Sequence, residues 1–565
     1  MVRVYLNKDV IVIPKYLSFF KLLFFVCLYA FSSVALTHPG DHQMYLQPNA
    51  GRILNEQSTP NQPTPERETL QIESPAAPTV QSGEKVQVRA LQISGNTLFS
   101  TQQIMEAAKF ESGMYDFGAL QQVASRIDQL YRKNGYPFSR AVLPPQTVED
   151  GSVKIEVLEG RYGDVSARGS GEYESQVNDW LSSLKSGEFI EESLLERTTL
   201  LLRDLPGVVI RPVVKPGADV GRGDLSVDFD IDSSPSYRLG FDNFGNRYTG
   251  YNRIRFDYAN PNNFALGDLI QFGIVKSEDD LSLFNLGYSR PIGFEGYGIS
   301  LNIGYADYGV GKELAAAGLS GESKTVALQV YNQLVRTNVR NVKLFAGLEF
   351  KELSDSVFNA NSEKENVSIP IGLSFDIRDG KFGKNAVTYG SARLKIGSIN
   401  FNQTAALSDI YGIEGNFSKF MLDVTRIQSL SSALRLNTRL SLQETNTNLD
   451  SSEDFLLGGP YGVRAYPLGE APGDRGYLVQ VQLEGQTRFG KPYVFYDFGS
   501  VKVTADRSAG QAAVNEHRSG GGVGFMGASG HVNFNLLLAY RSGHAPDSDI
   551  RSSTPIFWFL VDYAF

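Results

Sequence analysis

Cysteine is almost missing from this 565-residue chain, and the one present, Cys27, lies in the apolar stretch Leu22 to Phe31. That stretch follows the cationic Lys15 and Lys21 and precedes small residues at Ser33-Val34-Ala35, the layout of a secretory signal peptide over residues 1–35. Cleavage near Ala35 leaves a mature chain with no disulfide, no thiol nucleophile and no cysteine-ligated metal. Histidine is scarce as well: His38, His42, His517, His531 and His544 complete the set. The first pair is a weak metal candidate at best, and an unstructured N-terminus is the better reading, so no metal or other cofactor is expected. After the signal no apolar run approaches the ~20 residues that a spanning helix needs. An exported chain of this kind can still cross a membrane, provided that it does so as a closed barrel. Excess positive charge is absent too: the formal net charge is -9, and Lys and Arg cluster nowhere, which excludes a nucleic-acid partner.

Aromatic residues and glycine are abundant by contrast, with Tyr 27, Phe 35 and Gly 56 against a hydrophobic fraction of only 42%. This mixture suits many short amphipathic strands joined by turns. Residues 36–85 read as a linker, because Pro48, Pro60, Pro63, Pro65, Pro75 and Pro78 interrupt any long element. Within it Ala50 to Gln57 is either a short helix or a transient turn.

From Val86 the texture becomes compact α+β. Val86 to Ile93 reads as a strand, Ser100 as the N-cap of a helix through Ala108, and Leu120, Val123, Ala124, Ile127, Leu130 and Tyr131 as the stripe of a second helix stopped by Gly135. Strands at Ala141–Leu143 and Val153–Leu158 close the unit. The order then repeats: strand Asp164–Arg168, helix Ser175–Leu184, a helix striped by Leu194, Leu195, Thr198, Leu201, Leu202 and Leu205, then strands Val208–Val214 and Leu225–Ile231. Two successive units, 86–162 and 163–235, are an internal repeat.

From 236 to 565 a period of two takes over. Ile254, Phe256 and Tyr258 alternate with Arg253, Arg255 and Asp257; Val479, Val481 and Leu483 alternate with Gln480, Gln482 and Glu484. One face suits lipid, and the other carries charges that a hydrated lumen tolerates. A water-soluble sandwich also alternates, but does not usually set so many charges opposite its apolar face. At about 20 residues per strand and connection, this region predicts about 16 strands.

Three sequence features carry a family resemblance. Gln146 to Gly151 with Ile155 to Gly163 is similar to the end of a first periplasmic POTRA domain, and Asp242-Asn243-Phe244-Gly245 with Thr249-Gly250 is similar to a first barrel strand. Gly458-Gly459-Pro460-Tyr461-Gly462-Val463-Arg464-Ala465-Tyr466 is similar to the VRGY tip of a loop that folds back into the barrel, and Phe495-Tyr496-Asp497-Phe498-Gly499 to its paired barrel-wall motif. On these residues the chain resembles the two-partner secretion transporters of the TpsB type, the hemolysin secretion/activation proteins. Ala465 stands where that family usually has glycine.

The resemblance implies a mainly β fold with α+β periplasmic domains: a plug helix and Pro-rich linker over 36–85, POTRA domains at 86–162 and 163–235, and a 16-stranded transmembrane antiparallel β-barrel over 236–565 with an inward-folded loop around 455–476. It implies an outer-membrane transporter, not an enzyme, that exports an unfolded TpsA-type exoprotein captured by the POTRA domains. Outer-membrane lipid and, during biogenesis, the barrel assembly machinery are its further partners, and it works as a monomer. Val463, Arg464, Ala465, Tyr466, Phe495, Asp497 and Gly499 are the expected loop and wall residues, with Asp242, Asn243 and Gly245 in the first strand. Alternation turns Asp497 away from Val494, Tyr496 and Phe498, hence toward the lumen and within the reach expected of Arg464. A solvated arginine is the plain alternative for Arg464, and a simple turn for Asp242 and Asn243.

An insertase for other barrels is the nearest alternative; it shares these motifs but typically carries more POTRA units. A barrel-borne hydrolase is a third, and no Ser/His/Asp or dicarboxylate site assembles here. Asp497-Phe498-Gly499 spells a kinase-like motif without a nucleotide loop to accompany it, and Arg222-Gly223-Asp224 sits in a turn by chance.

Overall fold

The structure, a computed structural model, describes residues 84–565 except 149, 170, 359, 382–384, 507–513, 550 and 551, and before 84 only the backbone at 5–6, 9–10 and 71–72. The readings of residues 1–35 as a signal peptide, of 50–57 as a plug helix and of most of the linker lie outside the described residues.

In the first α+β unit the expected strand Val86–Ile93 is broken in two, Val86–Val88 and Ala90–Ser94. The break has a local cause: the backbone N–H groups of Arg89 and Ala90 both donate to the Gly151 carbonyl, at 2.6 and 3.2 Å, and this bulge redirects the chain. The leading piece pairs with Gly113–Tyr115, a strand too short to show alternation in the sequence, and the trailing piece runs parallel to Ser152–Leu158. Helix Thr101–Ala108 starts from Ser100 through a capping box closed by Gln103. Helix Phe117–Lys133 starts a turn before the apolar stripe because Asp116 caps it, accepting from the Ala119 N–H at 2.8 Å. Its stripe, Leu120, Val123, Ala124, Ile127 and Tyr131, is buried as the spacing requires.

The second unit repeats the order with strand Arg161–Arg168, helices Gly171–Leu181 and Glu192–Arg203, and strands Val208–Pro216 and Arg222–Ile231. One edge of its sheet is already paired, since Gln71–Ile72 lies parallel to Val213–Val214. Its core of Val177, Trp180, Leu195, Leu202, Val227 and Phe229 also takes in Leu266, which comes from the turn between the second and third barrel strands. Further contacts seat this unit on the same end of the barrel. Trp180 meets Phe294 edge-on at 5.4 Å, Glu196 accepts from the Asn338 N–H at 2.9 Å, and Arg336 reaches Asp204 through Nε at 2.5 Å and Nη2 at 2.8 Å.

Sixteen antiparallel strands follow and close into one barrel, from Ser236–Asp242 to Ile556–Ala564. The first and last strands pair from Arg238 opposite Ala564 to Asp242 opposite Leu560, so no sheet edge remains to be satisfied in lipid. Phe241, Ile254, Phe350, Ile396, Val494 and Phe565 are among the exposed outward residues; in a water-soluble sandwich they would be covered. Among the described residues no helix is long and apolar enough to cross a membrane.

Candidate functional site

The connection between the eleventh strand, Leu434–Thr445, and the twelfth, Arg475–Gly485, turns into the lumen instead of leaving it. Its stem is the pairing of Phe455–Leu456 with Pro472–Gly473. At the tip, Gly459 takes φ 103°, a conformation that favours glycine. The turn is held by the Gly462 N–H to the Gly459 carbonyl and the Tyr466 N–H to the Val463 carbonyl. Val463, Ala465 and Tyr466 are buried in an apolar cluster with Leu457, Phe495, Leu537 and Trp558.

Arg464 projects from this tip onto the thirteenth strand, Lys491–Lys502. Its Nε donates to Asp497 Oδ2 at 2.8 Å and its Nη2 to Oδ1 at 2.7 Å, a bidentate fork, while its backbone N–H reaches Oδ2 at 3.1 Å. The remaining nitrogen, Nη1, donates to Gln482 Oε1 at 2.6 Å. The guanidinium lies 3.7 Å from the Phe495 ring centroid, and the Trp558 indole N–H donates to the Arg464 carbonyl at 2.7 Å. Asp497 is wholly buried, so both charges depend on each other and on these dipoles rather than on water.

Ala465 avoids the left-handed conformation that would have demanded glycine. Its methyl group has space because the fourteenth strand, Asn515–Ser529, presents bare backbone there: Gly520, Gly522 and Gly524 stand opposite Asp497, Phe495 and Tyr493. A Cβ on Gly520 would overlap the Ala465 Cβ and come within 2.6 Å of the Tyr540 carbonyl oxygen. Gly499 makes the same allowance for Leu457, whose Cδ2 would lie 2.6 Å from an added Cβ. Gly520→Ala is therefore expected to lift the tip, measured as faster proteolysis of the loop in outer-membrane vesicles, and Ala465→Gly in the same chain should recover part of the protection. Equal protection in Gly520→Ala and the natural protein would show that the glycine stripe is not what seats the tip.

Asp242 and Asn243 do more than form a turn, although Asp242 Oδ1 does accept from the Phe244 N–H at 2.9 Å. Asp242 ends the first strand, buried, with Arg253 Nε at 2.8 Å and Arg255 Nε at 3.1 Å, and Arg255 continues to Asp562 on the last strand. The Asn243 side chain imitates a peptide group: its Nδ2 donates to the Phe557 carbonyl at 2.7 Å and its Oδ1 accepts from the Phe559 N–H at 2.8 Å. It thereby extends the seam beyond the backbone ladder. Gly245 closes the loop that follows through its N–H to the Tyr251 carbonyl at 2.9 Å, and a Cβ there would overlap the Gly250 carbonyl. Phe244 joins seam and loop, packing edge-on to both Tyr461 and Trp558 at 5.8 Å.

Sequence reasoning missed Trp558, Glu470 and Arg518. Glu470, buried on the returning limb, receives Arg518 Nη2 at 2.7 Å and the Ser548 N–H at 2.8 Å, which ties the limb to the fourteenth strand and to the connection before the last one. A carboxylate inside a Gly/Pro-bearing loop hints at such a tie; nothing local identifies its partner. Among the described residues no group of His, Cys, Asp and Glu is placed to hold a metal.

The family described as "Haemolysin secretion/activation protein ShlB/FhaC/HecB" matches residues 221–527, and "POTRA domain, ShlB-type" matches residues 86–160. The chain is similar to the heme/hemopexin transporter protein HuxB of Haemophilus influenzae, 27% identical over 401 residues that cover 67% of this chain and 69% of that protein. It is also similar to the outer membrane transporter CdiB of Escherichia coli, 23% identical over 565 residues that cover 94% and 92%. The solved structure of CdiB from Escherichia coli superposes with a TM-score of 0.68 at 19% identity over 94% of this chain and 100% of that one. CdiB from Acinetobacter baumannii gives 0.62 at 17% identity over 90% and 94%. At those identities the two structures establish the fold.

Proposed function

Because the chain belongs to the haemolysin secretion/activation protein family ShlB/FhaC/HecB, we propose that its inward loop, seated by Arg464 on Asp497, closes the channel through which the partner leaves. The protein is an outer-membrane transporter of two-partner secretion, with its POTRA region in the periplasm and a secreted TpsA-type protein as its cargo. It is not an enzyme.

The observation that carries the loop's role is the buried bidentate pair, since such a fork fixes one position of the tip against the wall. A lumen partly filled by a seated loop has to be cleared for a polypeptide to pass. The Asp242–Arg255–Asp562 chain and the Asn243 amide serve to keep the seam shut meanwhile. Capture of the unfolded cargo falls to the POTRA units. Strand Ala90–Ser94 lies at one edge of the first unit's three-stranded sheet, where an extended segment can add through backbone hydrogen bonds; at the other edge, Arg140–Val142, the Ala141 N–H already donates to Asp128 Oδ1 at 2.7 Å. In the second unit Gln71–Ile72 already takes such a place. A self-closed barrel with its own lipid-facing band works as a monomer, and its last strand, ending in outward aromatics up to Phe565, is what the assembly machinery would insert.

Residues 86–235 expressed alone are expected to fold and to retain the cargo's N-terminal secretion domain in a pull-down. The fragment should be less stable than within the whole protein, by about 1.5–3 kcal/mol for the missing Leu266 side chain alone. A folded fragment that captures nothing would remove the capture role from this module.

A further inference from the structure

The limb that enters the lumen carries an acidic group for which the Arg464–Asp497 pair does not account. Asp450 caps a single 3-10 turn, Ser451–Glu453, and this turn brings the Glu453 carboxylate to three ammonium groups: Lys351 at 2.7 Å, Lys395 at 2.9 Å and Lys419 at 2.8 Å. These come from the seventh, ninth and tenth barrel strands, Arg340–Val357, Ala386–Phe401 and Gly415–Ser429, a part of the wall distinct from that of Asp497. Asn366 Nδ2 donates to the same carboxylate at 3.2 Å, while Lys419 Nζ and Gln443 Nε2 donate to the Glu453 carbonyl at 2.7 and 2.8 Å. At the head of the turn Asp450 receives Lys364 at 2.7 Å.

The wall is charged so that it needs an anion here. Lys395 and Lys419 are register partners on adjacent strands and face the same way, an arrangement that like charges disfavour. All three lysines are buried, and a buried ammonium without a counter-charge is costly. Glu349 reaches Lys351 at 3.1 Å and Lys395 at 2.8 Å, so the wall itself supplies one carboxylate for three cations. The loop supplies the second. When the loop withdraws, it leaves three inward ammonium groups on the path of whatever passes.

We propose that Lys351, Lys395 and Lys419 form a carboxylate-binding socket in the lumen wall, filled by the loop's own Glu453 in the closed channel and open to competition by acidic side chains of the polypeptide in transit. This rests on the reading of the loop as the closing element. The competition makes loop release a consequence of cargo arrival: an extended acidic segment replaces a tethered carboxylate with its own, and no external energy source is required for the exchange.

Single-channel recording of the purified full-length protein in planar bilayers tests it. Glu453→Gln keeps the side chain's shape and removes its charge. It should lengthen open dwell times several-fold and shift the zero-current potential in a KCl gradient toward anion selectivity. Hexaglutamate on the POTRA side should raise the opening frequency of the natural protein, hexalysine should not, and Lys419→Met should weaken the peptide response several-fold at unchanged barrel content. Unaltered opening and selectivity in Glu453→Gln, no response to hexaglutamate, or an equal response to hexalysine would each overturn the socket. Arg464→Ala in the same bilayers reports on the loop by itself. If it raises conductance while Glu453→Gln does not, the loop reading stands and the socket falls; if neither does, both fall.

Discussion

Arg464→Ala should abolish or sharply reduce export of the partner protein while the barrel still accumulates in the outer membrane at its normal level. The substitution leaves Asp497 without solvent and without its fork, and loss of one member of a buried pair costs about 3–5 kcal/mol. That is ample to unseat a loop, which then leaks small ions but no longer moves aside as one body for a polypeptide. The same cost is small against a barrel whose sixteen strands are each paired on both sides, so loop position and barrel assembly separate cleanly in the measurement. Arg464→Lys should restore export only in part, because a single ammonium cannot serve both Asp497 oxygens and Gln482 together, nor spread over the Phe495 ring as a guanidinium does. The exchange of Arg464→Asp with Asp497→Arg is the stricter version, limited by the different reach of the two side chains. Secretion assayed in culture supernatant against barrel content in membranes decides it: normal export from Arg464→Ala at normal barrel levels would reduce Arg464 to an ordinary solvated residue.

Reversal of one charge at the base of the barrel should be nearly as damaging. Asp204 follows the helix Glu192–Arg203 and grips Arg336 at the end of the sixth barrel strand; the arginine side chain is 3% exposed and the aspartate 21%. Asp204→Arg sets two guanidinium groups face to face in that space. Because Asp204 keeps a fifth of its surface in water, the cost is discounted to about 2 kcal/mol, which is about a thirtyfold loss in the docked population. The second α+β unit would then be held by Leu266, the Trp180–Phe294 contact, the Asn338 N–H on Glu196, and Arg197 on the Glu295 and Gln333 carbonyls. With Leu194→Cys and Val339→Cys, at exposed positions beside the Glu196–Asn338 contact, a short bismaleimide should crosslink the unit to the barrel readily in the natural background and poorly with Asp204→Arg, and export should fall about tenfold or more in step with it. Arg336→Asp added to Asp204→Arg should recover much of both. Undiminished crosslinking in the charge-reversed protein would mean that the ion pair does not hold the unit in place.

Much of this architecture is legible without coordinates, because the patterns concerned are local. The helix stripe at Leu120, Val123, Ala124, Ile127 and Tyr131 and the alternation at Ile254, Phe256 and Tyr258 repeat at the periods of the elements that they build. The count of barrel strands follows from the spacing of the alternating segments. Gly113–Tyr115 was not legible, because three residues carry no periodicity, and neither was the break at Arg89, which is made by a carbonyl far along the sequence at Gly151.

The site divides along the same line. The inward direction of Asp497 follows from alternation alone, and the family resemblance supplied Arg464 as its counterpart. By itself the sequence determined the fold class, the two repeated α+β units, the even-numbered barrel and the face on which each strand residue lies, since each is a property of neighbours along the chain. Only the tertiary structure decided that Trp558 caps the Arg464 carbonyl, that Gly520 makes room for Ala465, that the Asn243 amide prolongs the seam, and that Lys351, Lys395 and Lys419 converge on Glu453. These depend on register across strands and on one loop folding inward against several of them. Burial forces every such charge and amide to find a partner, while a strand's own alternation says which way a residue points and not whom it meets.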